Sequence, residues 1–529
     1  MNRKNLTAAV LAGLAGAAGI VGSAQAVNVN PDGLGQVLIY PYYTVNGGNT
    51  TLLSVVNTSE DAKAVKVRFL EGKNSREVLD FNLYMSAYDV WTASLKNVAG
   101  VPTMKTADTS CTVPYIYGNG GSQEFLPWGM NDIDLDDDTV YDTIDRAAEG
   151  HFEMIEMGIL VAESESAVAA THVDGVPDDC AALVAAWTDP DNLVANDEGW
   201  WLNNVMYDGP FTDMEDPEGG LFGGAAIVNV QKGTMYSYDA KAINGFAMSI
   251  DANDLLHTPP GFTTPNLNSG DVVDGTVFMD NGSLFMSDGL TRGVDAVSFV
   301  FMHDQVMNEY TTEAVVGAGT EWVISFPTKH FYVDEVISGS EDALAPFTTT
   351  WDGSGACEVV LLDTIWDREE ASPEDPVIEG EPVPPIVSPA PPNEVITPDP
   401  IIPFELCYEV SVIEFGPGAG DATAILGSTN FHNIDNTLLG FEYGWARMQL
   451  DDYPYDENEN GLIDDDEAEF SRDHLGGLEG LPVTGFAVQA FQNAFLGDGA
   501  DVLANYGGIF GHKGTRMQSG SMCCEKMEN

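Results

Sequence analysis

The chain has 529 residues and carries 83 Asp plus Glu against 20 Lys plus Arg, for a formal net charge of −63. A surface so poor in cations repels nucleic-acid phosphates and anionic lipid headgroups, which excludes both as expected partners. With 44% hydrophobic and 10% aromatic residues the composition is that of a folded chain, and the length suffices for more than one core.

The chain opens MNRKNLTAAVLAGLAGAAGIVGSAQA. Arg3 and Lys4 precede a small apolar run from Leu6 to Val21, and Ala24-Gln25-Ala26 has the form of a cleavage site. This pattern predicts a secretory signal peptide over 1–26, removed before Val27. A membrane anchor is the alternative, but the run is rich in Gly and Ala and short for a span. Loss of Arg3 and Lys4 takes the formal charge to −65 (−63 minus 2). No cysteine follows the cleavage site to carry a lipid, and the final CCEKMEN has no hydrophobic tail. No later segment reaches ~18 uninterrupted apolar residues, so no membrane span is expected in the mature chain. The expected location is secreted or cell-surface, or else periplasmic.

From residue 27 to about 110 the text predicts strands. Runs at 36–43, 51–57, 64–70, 77–84 and 90–95 are short, rich in β-branched and aromatic residues, and separated by turn clusters such as Asn46-Gly47-Gly48. Their spacing predicts an antiparallel β-sandwich. Val65, Val67 and Phe69 alternate with Lys66 and Arg68, which predicts one buried face and one wet face. The following region, 111–368, reads as mixed but β-dominated. Residues 152–160 and 224–238 predict strands, 180–187 a short helix, 295–310 a helix, and 322–333 two strands broken at Pro327.

Candidate chemistry in these regions is thin. Asn131 to Asp142 (NDIDLDDDTVYD) alternates Asp132, Asp134 and Asp136 as a weak cation site would, but lacks the glycine and closing glutamate, and reads as a solvated acidic loop. His151, Glu153 and Glu156 are close in sequence, yet on a strand Glu156 points away from the other two. His172 with Asp174, Asp178 and Asp179 falls in a turn without a ligand spacing. His303-Asp304 lies in an apolar segment, where a hydrogen-bonded histidine is the simpler expectation. The G-x-S-x-G, H-E-x-x-H and P-loop motifs are absent. A glycosidase needs only two carboxylates, so carbohydrate binding or degradation, with exposed members of the nine tryptophans stacking on sugars, stays open as the alternative function. The 18 methionines are scattered as core filler.

From 369 to 403 proline recurs among acids, a composition that is extended and forms no core. It reads as a linker or, given strand-like Val359–Leu362 before it and Tyr408–Ile413 after it, as an excursion looped out of one sheet. Six cysteines in an exported chain predict disulfides, with Cys111–Cys180 and Cys357–Cys407 the expected pairs. The latter bridge would set the flanking strands side by side. Cys523 and Cys524 stay unassigned. No tandem repeat of useful period is legible, which argues against a solenoid.

The C-terminal region, 404–529, is again β-rich and carries the most specific motif, DENENGLIDDDE. Asp456, Asn458 and Asn460 fall at loop positions one, three and five, Gly461 at six, the Leu462 carbonyl at seven, Asp464 at nine and Glu467 at twelve. This spacing predicts an EF-hand-type Ca²⁺ loop, a set of oxygen donors around a hard cation. Pro454 disfavours an entering helix, 445–450 reads as a strand, and 468–475 has room for one or two exiting turns. A lone loop on a β scaffold predicts a structural site, because sensors use paired hands.

Several stretches together resemble a group of secreted proteobacterial cell-surface proteins. They are Thr51 to Trp91, GHFEMIEMG from Gly150, GLFGGAAIVNVQKGT from Gly220, TEWVISFPTKHFYVD from Thr320 and ANYGGIFGHKGTR from Ala504. The resemblance implies a secreted surface protein and supplies no catalytic residue. The sequence therefore predicts a mainly β (α+β) fold of antiparallel, sandwich-like sheets with a few short helices and a Pro-rich insertion. The expected function is that of an acidic calcium-binding surface protein with a structural, assembly or adhesive role. Its expected partners are further copies of itself or cell-surface components.

Overall fold

The structure, a computed structural model, describes residues 26–126, 144–188, 199–206, 211–250, 255–370, 402–418, 420–436, 440–451, 453–454, 469–470, 472–496 and 502–519. Two β-sandwiches account for most of them.

The first sandwich begins with β1 (Asn28–Val29), β2 (Val37–Thr44), β3 (Thr50–Asn57), β4 (Ala62–Glu71), β5 (Glu77–Met85) and β6 (Val90–Val98). It continues through β7 (Val101–Lys105), β8 (Cys111–Val113), β9 (Ser122–Glu124) and β10 (Glu149–Leu160), and closes with β11 (Leu221–Asn229), β12 (Thr234–Asp239) and β13 (Lys241–Asn244). One sheet runs β1-β13-β2-β10-β4-β5-β8 and the other β12-β11-β3-β6-β7-β9. The strands expected between 27 and 110 are thus completed by strands as late as 244. Between the sheets, Val65, Val67, Phe69, Phe81, Phe152 and Met154 meet Leu53, Val55, Trp91, Leu95 and Ile227 in one core.

The second sandwich uses β14 (Gln305–Thr311), β15 (Ala318–Ser325), β16 (Glu358–Asp367), β17 (Ile402–Leu406), β18 (Val410–Phe415), β19 (Phe431–Ile434) and β20 (Tyr443–Gln449). After a separate two-residue ladder of β21 (Tyr453–Pro454) and β22 (Glu469–Phe470), it ends in β23 (Thr484–Leu496), β24 (Val502–Gly511) and β25 (Lys513–Thr515). Its sheets run β17-β16-β20-β14-β25 and β19-β18-β15-β23-β24.

These orders repeat those of the first sandwich. Replacing β2, β3, β4, β5, β6, β10, β11, β12 and β13 by β14, β15, β16, β17, β18, β20, β23, β24 and β25 in turn converts the pairings among these nine strands of the first sandwich into those of the second, while β1, β7, β8, β9 and β19 have no counterpart. Side-chain detail follows the match. In the first sandwich the Thr44 N–H donates to Thr51 Oγ1 (3.0 Å), whose hydroxyl donates back to the Thr44 carbonyl (2.9 Å). The Thr311 N–H and Thr320 do the same at 2.9 and 2.9 Å. Gly150, opposite Tyr43 and Glu71, corresponds to Gly444, opposite Tyr310 and Asp367; at both, a Cβ would strike the backbone of the neighbouring strand.

Several expectations are corrected. The helix expected at 295–310 is Gly293–Phe301, wholly buried and started by the Asp295 carboxylate taking the Arg292 N–H; the alternating residues after it form β14. Of the two strands expected at 322–333 only β15 forms. Beyond Pro327 the chain makes one helical turn, His330–Val333. Cys111–Cys180 and Cys357–Cys407 are bonded as expected. The strand paired with 358–362 is β17, however, and β18 lies in the opposite sheet.

The face of the first sandwich expected to be wet is instead buried: Lys66 is 0% and Arg68 5% exposed. The segment 257–261 covers it, Pro259 and Thr258 offering carbonyls to Lys66 (3.1 Å) and Asn82 (2.8 Å). The sandwiches are also joined to each other. Val410 N–H donates to Gly72 O (2.8 Å) and Glu409 N–H to Lys73 O (3.1 Å), and Tyr238 stacks on Phe486 with centroids 4.8 Å apart.

Candidate calcium site and buried charge clusters

Asp456, Asn458, Asn460, Leu462, Asp464 and Glu467 lie outside the described residues, as do Asn131 to Asp142 and Cys523-Cys524. Residues on either side of the expected calcium loop are described. Tyr453 pairs with Phe470 and Pro454 with Glu469, so strands rather than helices stand at both ends. The exiting helical turn expected at 468–475 does not form in its described residues, since 469–470 are strand and 472–474 carry no helix.

The stem is tied down on both sides. Downstream, Arg472 is buried, forms an ion pair with Glu358 and donates to Val359 O (2.5 Å). Upstream, the Leu450 N–H donates to Asp304 O (2.7 Å), and Asp451 is buried next to it. One carboxylate oxygen of Asp304 and one of Asp451 are buried without a hydrogen-bond partner among the described residues. Burial pushes the Asp451 carboxyl up to about 7, against the Gln449 hydrogen bond and with the help of the Asp304 and Glu479 charges.

On the two faces of β4 the buried cations and acids sort into pairs set by the strand register, Arg68 and Lys66 behind the sandwich and Lys63 on the face it shares with Val65. Arg68 bridges Glu77 (2.7 Å) and Glu153, and Lys66 meets Asp80 (2.5 Å). Lys63 meets Glu156 (2.7 Å), whose carboxylate also takes the Gly219 N–H (2.7 Å). Glu153 and Glu156 therefore serve different cations, and His151 joins neither. Both ring nitrogens of His151 lack a partner among the described residues, and burial holds its pKa down to about 4. His172 hydrogen-bonds Ser86 (2.9 Å), Asp179 caps the helix Cys180–Ala186, and His303 bonds the Phe301 carbonyl (2.9 Å). His172 also lies 3.7 Å from the Asp89 carboxylate, and none of the three belongs to a metal cluster among the described residues. The one close group of potential ligands there, Cys357, Glu405 and Cys407, has both sulfurs committed to the disulfide.

Sequence reasoning missed a set of buried glutamates that anchor loops. Glu321 takes the N–H groups of Ile425 (2.5 Å) and Leu426 (2.9 Å) and the Thr423 hydroxyl (2.8 Å); burial pushes its carboxyl up to about 7 despite these donors. Glu149 takes the Thr429 N–H (2.8 Å), and Glu71 takes those of Lys73 (2.7 Å) and Asn74 (2.9 Å). Their one signal was an acid inside an apolar strand, as in Thr320-Glu-Trp-Val-Ile. Trp91, Trp187, Trp201 and Trp322 are buried, so they supply no sugar platform; Trp200 and Trp445 are exposed. Compared with protein-family models, curated proteins and solved structures, the chain matches none.

Proposed function

We propose that this protein is exported and works outside the cytoplasm as an acidic structural or adhesive component, stiffened by one calcium ion. The observation that carries the reading is the spacing of oxygen donors from Asp456 to Glu467 around Gly461. A two-residue ladder at the mouth of that loop, and a buried Arg472 beside it, give the loop a fixed base on a rigid sandwich. Two disulfides suit an oxidising compartment, and the resemblance to secreted surface proteins points the same way. A net charge of −63 favours divalent counter-ions, which suits calcium as a bridge between copies as well as a stiffener within one.

Thermal melts of wild type and Glu467→Ala, each with calcium and with chelator, test the site. Extracellular modules bind at roughly 10⁻⁴ to 10⁻³ M, so about tenfold excess calcium is expected to stabilise wild type by ~1.4 kcal/mol. The variant should lose most of that gain. Identical melting in all four samples would remove the calcium reading. Light scattering on the same samples reads the assembly role, which predicts larger particles with calcium in wild type alone.

A further inference from the structure

We infer that the junction of the two sandwiches holds a binding pocket for a small organic carboxylate with an apolar body. The pocket has a volume of about 190 Å³. Its walls include Val300, Phe301, Val306 and Val483, and its charged lining is Lys241, Lys513 and Arg516. Three of the chain's 20 lysines and arginines thus converge on one small cavity, and among the described residues no acid lines it. In a molecule of charge −63 a lining with three cations runs against the overall composition.

These cations are not already spent on protein acids. Among the described residues Lys63, Lys66, Arg68, Arg292 and Arg472 are each ion-paired, whereas Lys241, Lys513 and Arg516 form no salt bridge. Asp239, Asp280 and Asp304 act on them only as a background from outside the lining. Arg516 donates to the carbonyls of Val300 (3.2 Å) and Phe278 (3.3 Å), and its buried Nε has no partner among the described residues. The buried Thr484 hydroxyl, also in the lining, has none either. Burial lowers the pKa of Lys241, and the neighbouring Lys513 lowers it further, so a bound anion would relieve a repulsion present without it. His303 and His512 complete the polar lining as neutral rings. Burial holds them at about 3 and about 4, and each already bonds a backbone carbonyl, Phe301 O and Val323 O.

The repeated topology explains the convergence. Lys241 opens β13 and Lys513 opens β25, the corresponding last strands of the two sandwiches. The size argues for an organic anion. A cavity of about 150 Å³ accommodates benzene, so about 190 Å³ suits a benzoate-sized ligand. Its carboxylate would meet the three cations and its body the valines.

Isothermal titration of the full mature chain with benzoate, benzamide and inorganic phosphate at pH 7 tests this. Benzoate is expected to bind, with benzamide at least ~10-fold weaker, one such step being 1.4 kcal/mol. Lys241→Met/Lys513→Met should weaken benzoate by ~10-fold or more, while the exposed control Lys96→Met/Lys105→Met leaves it unchanged. Lys513 is exposed, so Lys513→Gln alone gives a second variant whose folding is not in question. Equal binding of benzamide and benzoate would overturn the proposal. So would phosphate binding without benzoate binding, no binding by wild type, or unchanged affinity in both lysine variants.

Discussion

Asp451 stands five residues before the proposed calcium loop, its carboxyl pushed up to about 7 by burial, well above the ordinary value of 3.8. A raised carboxyl pKa in the fold means that protonation favours the native state. The favourable condition is therefore complete below about pH 3.8 and is lost as pH rises through about 7. Asp451→Asn should leave stability near that of wild type at pH 4 in chelator. At pH 8 it should raise stability by on the order of 2–4 kcal/mol, since a tenfold difference in proton affinity between folded and unfolded chain corresponds to about 1.4 kcal/mol. Denaturant melts at both pH values check it, and a variant that is equally stable or weaker at pH 8 would contradict it. The buried pairs of Lys63, Lys66 and Arg68 follow a different logic. Charges taken out of water cost several kcal/mol each, so such pairs specify partners more than they add stability. At each of these lysines and arginines the fold offers a carboxylate one strand away, which ties strand register to charge matching.

At the scale of elements, most strands were legible because their residues report on themselves. Val65, Val67 and Phe69 alternate, and the turns between the early strands carry glycine and asparagine. The wet face was misjudged for a physical reason: alternation tells which side chains share a side, not what covers that side, and the cover of Lys66 comes from residues 257–261. The repeat was illegible because its shared marks, Thr44 with Thr51 and Thr311 with Thr320, or Gly150 and Gly444, are single residues at unequal spacings. The donor pattern from Asp456 to Glu467 was plain in the text, while the basic pocket gathers side chains from 241 to 516 and so left no local trace. The repeat now gives meaning to the Pro-rich segment. Where β4 and β5 are joined by the short turn 72–76, the matching β16 and β17 are joined through 368–401. Glu358 still pairs with Leu406 and Leu362 with Ile402, with Cys357 and Cys407 bonded just outside. Replacing 371–400 by a short Gly-Asn turn should therefore keep the fold. Each halving of loop length lowers closure cost by about 0.6 kcal/mol, so the expected change in stability is a gain of about 1–2 kcal/mol. A shortened chain with a lower melting temperature or a lost β signal would show that the segment packs on the sandwiches.

The whole molecule raises the question of whether two sandwiches unfold as one. A shared topology invites a picture of two independent beads, but the contacts oppose it. The core between the first pair of sheets includes Val323, Val410, Val412, Phe486 and Val488 from the outer face of the second sandwich. A second core joins Ile39, Ala64 and Ile155 of the first sandwich to Trp322, Phe415 and Met448 of the second. Polar links cross as well: Glu149 takes the Thr429 N–H, the Asn49 amide donates to Leu426 O (2.8 Å), and Asn74 donates to Asp334 (2.9 Å). Separating the sandwiches would expose that apolar surface and leave Glu149 without the Thr429 N–H donor, so neither half has a low-cost folded state of its own. Scanning calorimetry should show a single transition whose calorimetric and van't Hoff enthalpies agree. Glu149→Ala, which cuts an anchor between the halves, should lower its midpoint without splitting it, because the apolar contact remains. Two resolved transitions in wild type would mean that the shared cores are weaker than the cores within each sandwich, and that the pocket between Lys241 and Lys513 opens when only one half melts.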